Sequence, residues 1–144
     1  MVHRIKHKDQ LLALIVSAEF DQSGITFFTS DELSQQLAYI HHPPGKTIDA
    51  HIHTPAAREV QLTQETLFIK RGKLRVDFFD SGGKYLESRV LKAGDVILLV
   101  QGGHGFEVLE EVEMFEVKQG PYLGRDDKTR LAAKLPPELR FGRD

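Results

Sequence analysis

The chain has no cysteine. Disulfides, thiolate metal sites and a cysteine nucleophile are therefore excluded, and any metal must be held by nitrogen and oxygen. It has no surplus of either charge: 19 Lys and Arg stand against 21 Asp and Glu, a net charge of −2. That balance gives no reason to expect nucleic acid or an anionic membrane as a partner. No apolar run approaches the roughly 18–20 residues that span a bilayer. The basic start, Met1–Lys8, leads into a short apolar stretch, Leu11–Val16, with no small-residue cleavage site. No signal peptide is expected, and the cytoplasm is the expected location. No GxGxxG or P-loop glycine pattern occurs.

What is present is ordinary globular composition, 40% apolar and 28% charged over 144 residues. That length suits one domain with a real core, 1–144, and no linker or low-complexity segment divides it. Short apolar runs alternate with turn signals. Strands are expected at Leu11–Phe20 and Ile25–Thr29, joined as a hairpin by a turn at Asp21-Gln22-Ser23-Gly24, although Leu11–Ala18 also suits a helical turn or two. Gln36–His41 ends at Pro43-Pro44-Gly45, and Thr47–His53 ends near Pro55. Glu65–Lys70 and Leu74–Phe79 flank a turn at Arg71-Gly72-Lys73, and Asp80-Ser81-Gly82-Gly83 is a further turn. Tyr85–Leu91, Asp95–Val100, Gly105–Leu109 and Glu113–Lys118 complete the set. Many strands of this length at regular spacing predict an all-β sandwich or barrel. Beyond Gly120-Pro121 the composition turns charged, and Arg125–Lys134 is expected to form a short helix capped by Asp126 or Asp127 and stopped by Pro136-Pro137.

Alternation along the strands separates their faces. Glu65 shares a face with Leu67 and Ile69, opposite Thr66, Phe68 and Lys70, so a carboxylate points toward apolar neighbours. His104 shares its face with Phe106 and Val108. His51 and His53 lie on one face of their expected strand with Asp49, opposite Ile48, Ala50 and Ile52. Two imidazoles at i and i+2 of a strand can hold a divalent metal if further donors converge on them. The plainer alternatives are surface histidines at 51 and 53, a backbone-satisfied imidazole at 104, and a Glu65 paired with Arg58, Arg71 or Lys73. His41 and His42 belong to a loop, and His3 and His7 to a basic terminus.

Gly45-x5-His51-x-His53, then Glu65-x6-Gly72, then Gly94-Asp95 leading to His104, resembles the two motifs of the cupin superfamily. The resemblance covers about residues 36–120. It implies a double-stranded β-helix, the jelly-roll barrel, with its core over about 11–120 and a C-terminal extension over 121–144. It also implies a metal site of His51, His53, Glu65 and His104. Eleven residues separate His53 from Glu65, more than the family spacing. Glu59 suits that front spacing better, whereas Glu65 suits the spacing to Gly72 and has the apolar-face parity, so Glu65 is preferred. Val100 replaces the usual proline of the second motif, and Gly102-Gly103-His104 is one residue short. Thr63-Gln64-Glu65 and Val117–Tyr122 resemble a subgroup of small bacterial cupins with which no reaction is associated.

Three imidazoles and a carboxylate suit Fe, Mn, Ni, Co or Zn as divalent ions and leave positions open for substrate. Three functions follow as expectations. The first is a metal-dependent protein acting on or binding a small polar or sugar-like metabolite inside the barrel. The second is a non-catalytic sensor of a small ligand. The third is a metal-free isomerase or epimerase resembling the nucleotide-sugar cupins, with His51 and Tyr39 or Tyr122 moving protons. Catalysis and pure binding are both open at this point, because fold does not decide between them. A homodimer is implied by the resemblance.

Overall fold

A computed structural model describes residues 1–142. It is all-β, with almost no helix, and its larger sheet curls into a half-barrel. The chain divides into two compact units, one of Met1–Phe20 with the described residues from Thr63 onward, the other of Asp21–Leu62.

The larger unit holds six strands. These are β1 (Val2–His7), β2 (Gln10–Val16), β5 (Glu65–Phe79), β6 (Tyr85–Lys92), β7 (Val96–Leu99) and β8 (Gly103–Lys118). All pair antiparallel in the order β1-β2-β7-β5-β6, with β8 along the other side of β5. The smaller unit contributes a two-stranded sheet, β3 (Gly24–Phe27) with β4 (Ala38–His41), so the hairpin expected across Asp21–Gly24 does not form: β2 is already paired on both sides by β1 and β7.

β5 organises the larger sheet. Its first residues pair with β7, Glu65 opposite Leu99 and Phe68 opposite Val96. Its later residues pair with β6, Lys73 opposite Lys92 through Phe79 opposite Tyr85. β7 and β6 follow one another along the same side of β5, and β5 bends between the two stretches. The bend lies at residues 69–74, where the β8 register shifts three times and Gly72 takes φ +85. Glycine in a strand interior marks such bulges. The turn expected at Arg71-Gly72-Lys73 is therefore a bulge inside one continuous strand. The break expected at Glu110-Glu111 is likewise absent from β8. Lys73 and Arg71 pair across the ladder with Glu110 and Glu111 at 2.6 and 2.8 Å, which suits those glutamates to a strand facing a basic neighbour.

On β5 the core lies on the face predicted by parity, whereas on β8 Phe106 and Val108, expected to face inward with His104, are exposed because no further layer of described residues covers that face. Leu67, Ile69, Leu74, Val76 and Phe78 of β5 pack with Leu91, Ile97, Leu99, Ala13, Ile15 and Ile5. Each large side chain buried there stabilises the sheet by about 1.5–3 kcal/mol. Asp95 is buried at the β6–β7 connection, where its carboxylate accepts the Ala18 and Lys92 amides, each at 2.8 Å.

Three further expectations are corrected. No strand forms over Thr47–His53, and the segment is irregular. Ile48 and Ile52 are exposed, so no apolar face fixes a register, and prolines at 43, 44 and 55 cannot donate to a ladder. The short C-terminal helix over 125–134 is absent, and only a 3-10 turn forms, at Gly124–Asp127. Lys128 is already extended and the segment is too short to nucleate a helix without a packed face. The terminus at Val2–His7, read as a basic tail, is a strand paired with β2. No helix among the described residues is long and apolar enough to cross a membrane.

Candidate functional site

Glu65 opens β5 and His104 follows the first residue of β8. In the β5–β8 ladder Glu65 stands opposite Lys118, whereas His104 stands opposite Phe78, 13 positions further along β5. A straight ladder would hold those points roughly 40 Å apart. In the structure His104 Nε2 lies 3.4 Å from Glu65 Oε2. The ribbon doubles back at the Gly72 bulge and carries the two ends of one ladder to each other across the concave face. The site is thus a product of the bend.

Glu65 is buried, with 9% of its side chain exposed, against 29% for His104. The His104 imidazole, helped by the charges of Lys128 and Lys118, holds the Glu65 carboxyl below the usual carboxylate range, against the opposing effect of burial. Arg71 and Lys73, the alternative partners expected for Glu65, are instead engaged by Glu111, Glu113 and Glu110. Arg58 is exposed and reaches only the Ala56 carbonyl. The pair opens into a cleft of about 600 Å³ whose lining includes Phe79, Phe106, Gly103, Asp127 and Leu131. The His104 and Phe106 rings lie 5.3 Å apart between centroids. The cleft has the size of a small-molecule site with mixed polar and apolar walls.

In the smaller unit, His51 and His53 stand together, their ring centroids 5.2 Å apart in an edge-on arrangement. His51 Nδ1 lies 2.8 Å from the Asp49 carbonyl. A carbonyl only accepts, so Nδ1 carries the proton and donates it there, leaving Nε2 as the ring's other nitrogen. That contact runs from residue 51 to residue 49 and does not require the strand that parity presumed. Glu59, the alternative carboxylate, is exposed and takes a hydrogen bond from Gln61 at 2.7 Å. Tyr39 is engaged by Asp21 at 3.2 Å, and burial and that carboxylate push its hydroxyl pKa up. Tyr122 lies beneath the Lys118 ammonium, 5.1 Å from its ring centroid.

Within each unit, among the described residues, no three His, Asp or Glu side chains form a group that could hold a metal ion. The four expected ligands fall into two pairs, Glu65 with His104 and His51 with His53. The donor separation in the first pair is compatible with two ligands on one ion. Two donors about 2.1 Å from one ion at tetrahedral angles stand roughly 3.4 Å apart, the separation seen between Glu65 and His104. In the second pair, Nε2 is the His51 nitrogen that the Asp49 carbonyl does not engage.

Two groups of functional interest had no sequence signal. Lys118 binds Asp127 at 3.1 Å with only 4% of the Asp127 side chain exposed. A buried chain of Tyr85, Ser88 and Asp77 runs beneath Arg140 and Phe141. Strand alternation alone assigns Asp77 to the wet face, and only the cross-strand pairing with Ser88 would have placed them together. Comparison with protein-family models, with curated proteins and with solved structures returned no match.

Proposed function

We propose that this chain is a cupin-like barrel protein that takes a small polar metabolite into the cleft above Glu65 and His104. In this proposal a divalent transition metal is held by those two residues with His51 and His53. The observation that carries it is the 3.4 Å approach of His104 to a buried, ionised Glu65 across the concave face. A carboxylate kept charged in a mostly apolar setting is costly unless it has a positive partner, so the pair favours a cation or a protonated imidazole beside it. The contribution of His51 and His53 rests on their spacing in the sequence and on the second ring nitrogen of His51, Nε2, which the Asp49 carbonyl does not engage.

A bound divalent ion would supply a Lewis acid or a redox centre. Glu65 would neutralise part of the cationic charge, and His104 would orient against Phe106. The same contact also favours a metal-free alternative, in which His104 exchanges a proton with substrate and Glu65 stabilises the imidazolium. The homodimer is proposed as well, through Phe68, Phe115 and Val117, which are exposed on one face of paired strands.

Metal analysis tests the main proposal. The chain is loaded with Mn(II), Fe(II) or Zn(II), desalted and assayed for bound metal. One ion per chain, lost in both His104→Ala and His51→Ala, supports the four-ligand set. Retention of metal in His51→Ala restricts the site to the Glu65–His104 pair, and no retention in any form leaves the proton-transfer alternative.

A further inference from the structure

The segment that follows β8 crosses the larger unit and is fixed at both ends. At its start, the carboxylate of Asp127 is buried against the Lys118 ammonium, which also covers the Tyr122 ring. At its end, a chain of hydrogen bonds fixes the backbone of Arg140. The Arg140 amide donates to the Tyr85 hydroxyl at 3.0 Å. The Tyr85 hydroxyl lies 2.8 Å from Ser88 Oγ, and Ser88 donates to Asp77 at 2.5 Å. Because the Ser88 hydroxyl gives its proton to the carboxylate, it accepts from Tyr85. The Ser88 amide in turn donates to the Arg140 carbonyl at 2.7 Å, and Phe141 forms a parallel bridge to Ser88. Arg75 closes the chain on Asp77 at 2.8 Å. Tyr85, Ser88 and Asp77 are all buried.

Between these anchors the segment passes over the residues beside His104. A Cβ added to Gly103 would fall 2.3 Å from Leu131 Cδ1, so the leucine rests directly on the backbone that carries His104. A Cβ added to Gly83 would lie 3.9 Å from the Cβ atoms of both Ala133 and Leu131. Asp127, Lys128, Leu131 and Ala133 form one wall of the cleft. The wall itself is largely exposed and belongs to no sheet ladder. Segments of that kind open at low free-energy cost while their surroundings stay folded.

We infer that residues 121–142 are a strap, clamped by Asp127–Lys118 at one end and by Tyr85–Ser88–Asp77 at the other, whose release opens the cleft to the Glu65–His104 pair. The inference rests on the proposed site as the place being guarded, and it assigns that site an access control. Ligand entry and strap release are then coupled, and a change that loosens either clamp exposes His104.

The test uses the full chain without metal or substrate, so its outcome is independent of metal binding. Asp127→Ala, Tyr85→Phe and the double variant are compared with the parent in two measurements. Hydrogen exchange by mass spectrometry follows the amides of 121–142. Modification by diethyl pyrocarbonate, read residue by residue, follows His104, with His41 of the other unit as internal reference. The double variant should exchange faster across the strap, and His104 should react about threefold faster, because its side chain is only 29% exposed with the strap in place. Leu131→Ser alters a side chain already 39% exposed and leaves the core intact, and it should accelerate His104 in the same direction. Unchanged strap exchange in the double variant would show that the clamps do not hold it. Faster strap exchange with an unchanged His104 rate, in both the double variant and Leu131→Ser, would show that the strap does not guard the pair. Either result overturns the inference and leaves the metal proposal standing, just as failure of metal binding leaves the strap standing.

Discussion

Replacing Gly72 by alanine should damage this protein more than its small size suggests. Gly72 has φ +85, in the left-handed region, where a side chain costs about 1–2 kcal/mol. A Cβ there would also lie 2.0 Å from the Glu111 carbonyl oxygen and 2.7 Å from its carbon, and both are backbone atoms that cannot swing aside. The β5–β8 ladder would have to separate at the bulge that brings its two ends together. The combined cost should be roughly 3 kcal/mol or more, with strain and disturbed packing added to the conformational cost. For a chain of this length that is a loss of roughly 6–12 °C in Tm. Gly45→Ala provides the control, since Gly45 has φ +86 but nothing within 4 Å of the added Cβ. It should show the conformational cost alone, about 1 kcal/mol and a few degrees. Calorimetry or thermal denaturation of the two variants beside the parent gives both numbers. If Gly72→Ala loses no more than Gly45→Ala, the close approach at Glu111 does not shape the sheet, and the explanation of how Glu65 meets His104 fails with it.

Three other outcomes follow from the same geometry. The Glu65 carboxyl is held low in the folded state, so its stabilisation is present above the unfolded value of about 4.3 and is lost as pH falls through the folded value. Urea unfolding across acid pH should therefore show the parent converging on Glu65→Gln in acid and separating from it as pH rises, and parallel curves would contradict this. Ser88→Ala removes the donor to a buried carboxylate and should cost about 1–3 kcal/mol, with faster amide exchange at residues 140–142 as the companion signal. Phe78→Ala empties a core position that is 1% exposed and should cost about 3–5 kcal/mol in denaturant titration, with His104, its ladder partner, shifted in NMR spectra.

The chemical alternation of β5 was legible without a structure. Glu65, Leu67 and Ile69 were assigned to one face, and all three are buried there. The Asp80–Gly83 turn was legible for an equally local reason, since the Asp80 carboxylate accepts the amides of Gly82 and Lys84. What failed was every feature that depends on a neighbour. Arg71-Gly72-Lys73 and Glu110-Glu111 carry turn and charge signals, but opposite one another they become a bulge and a cross-strand set of ion pairs. Thr47–His53 has strand-like alternation without a strand beside it to make it one. Arg125–Lys134 has helix-forming residues, but Asp127 is committed to Lys118 and Leu131 to the backbone at Gly103. Glu65 and His104 could be named as candidates from parity. Their meeting could not, because it depends on a bend that one glycine permits.

The most direct test is a cobalt(II) titration of the chain labelled with ¹⁵N-histidine, followed by NMR of the imidazole nitrogens. Paramagnetic shifts and broadening at His104, His51 and His53 together, saturating at one ion per chain and abolished by Glu65→Gln, are the result expected of a four-ligand metal site. Saturation with His104 unperturbed, or identical spectra for the parent and Glu65→Gln, would contradict it.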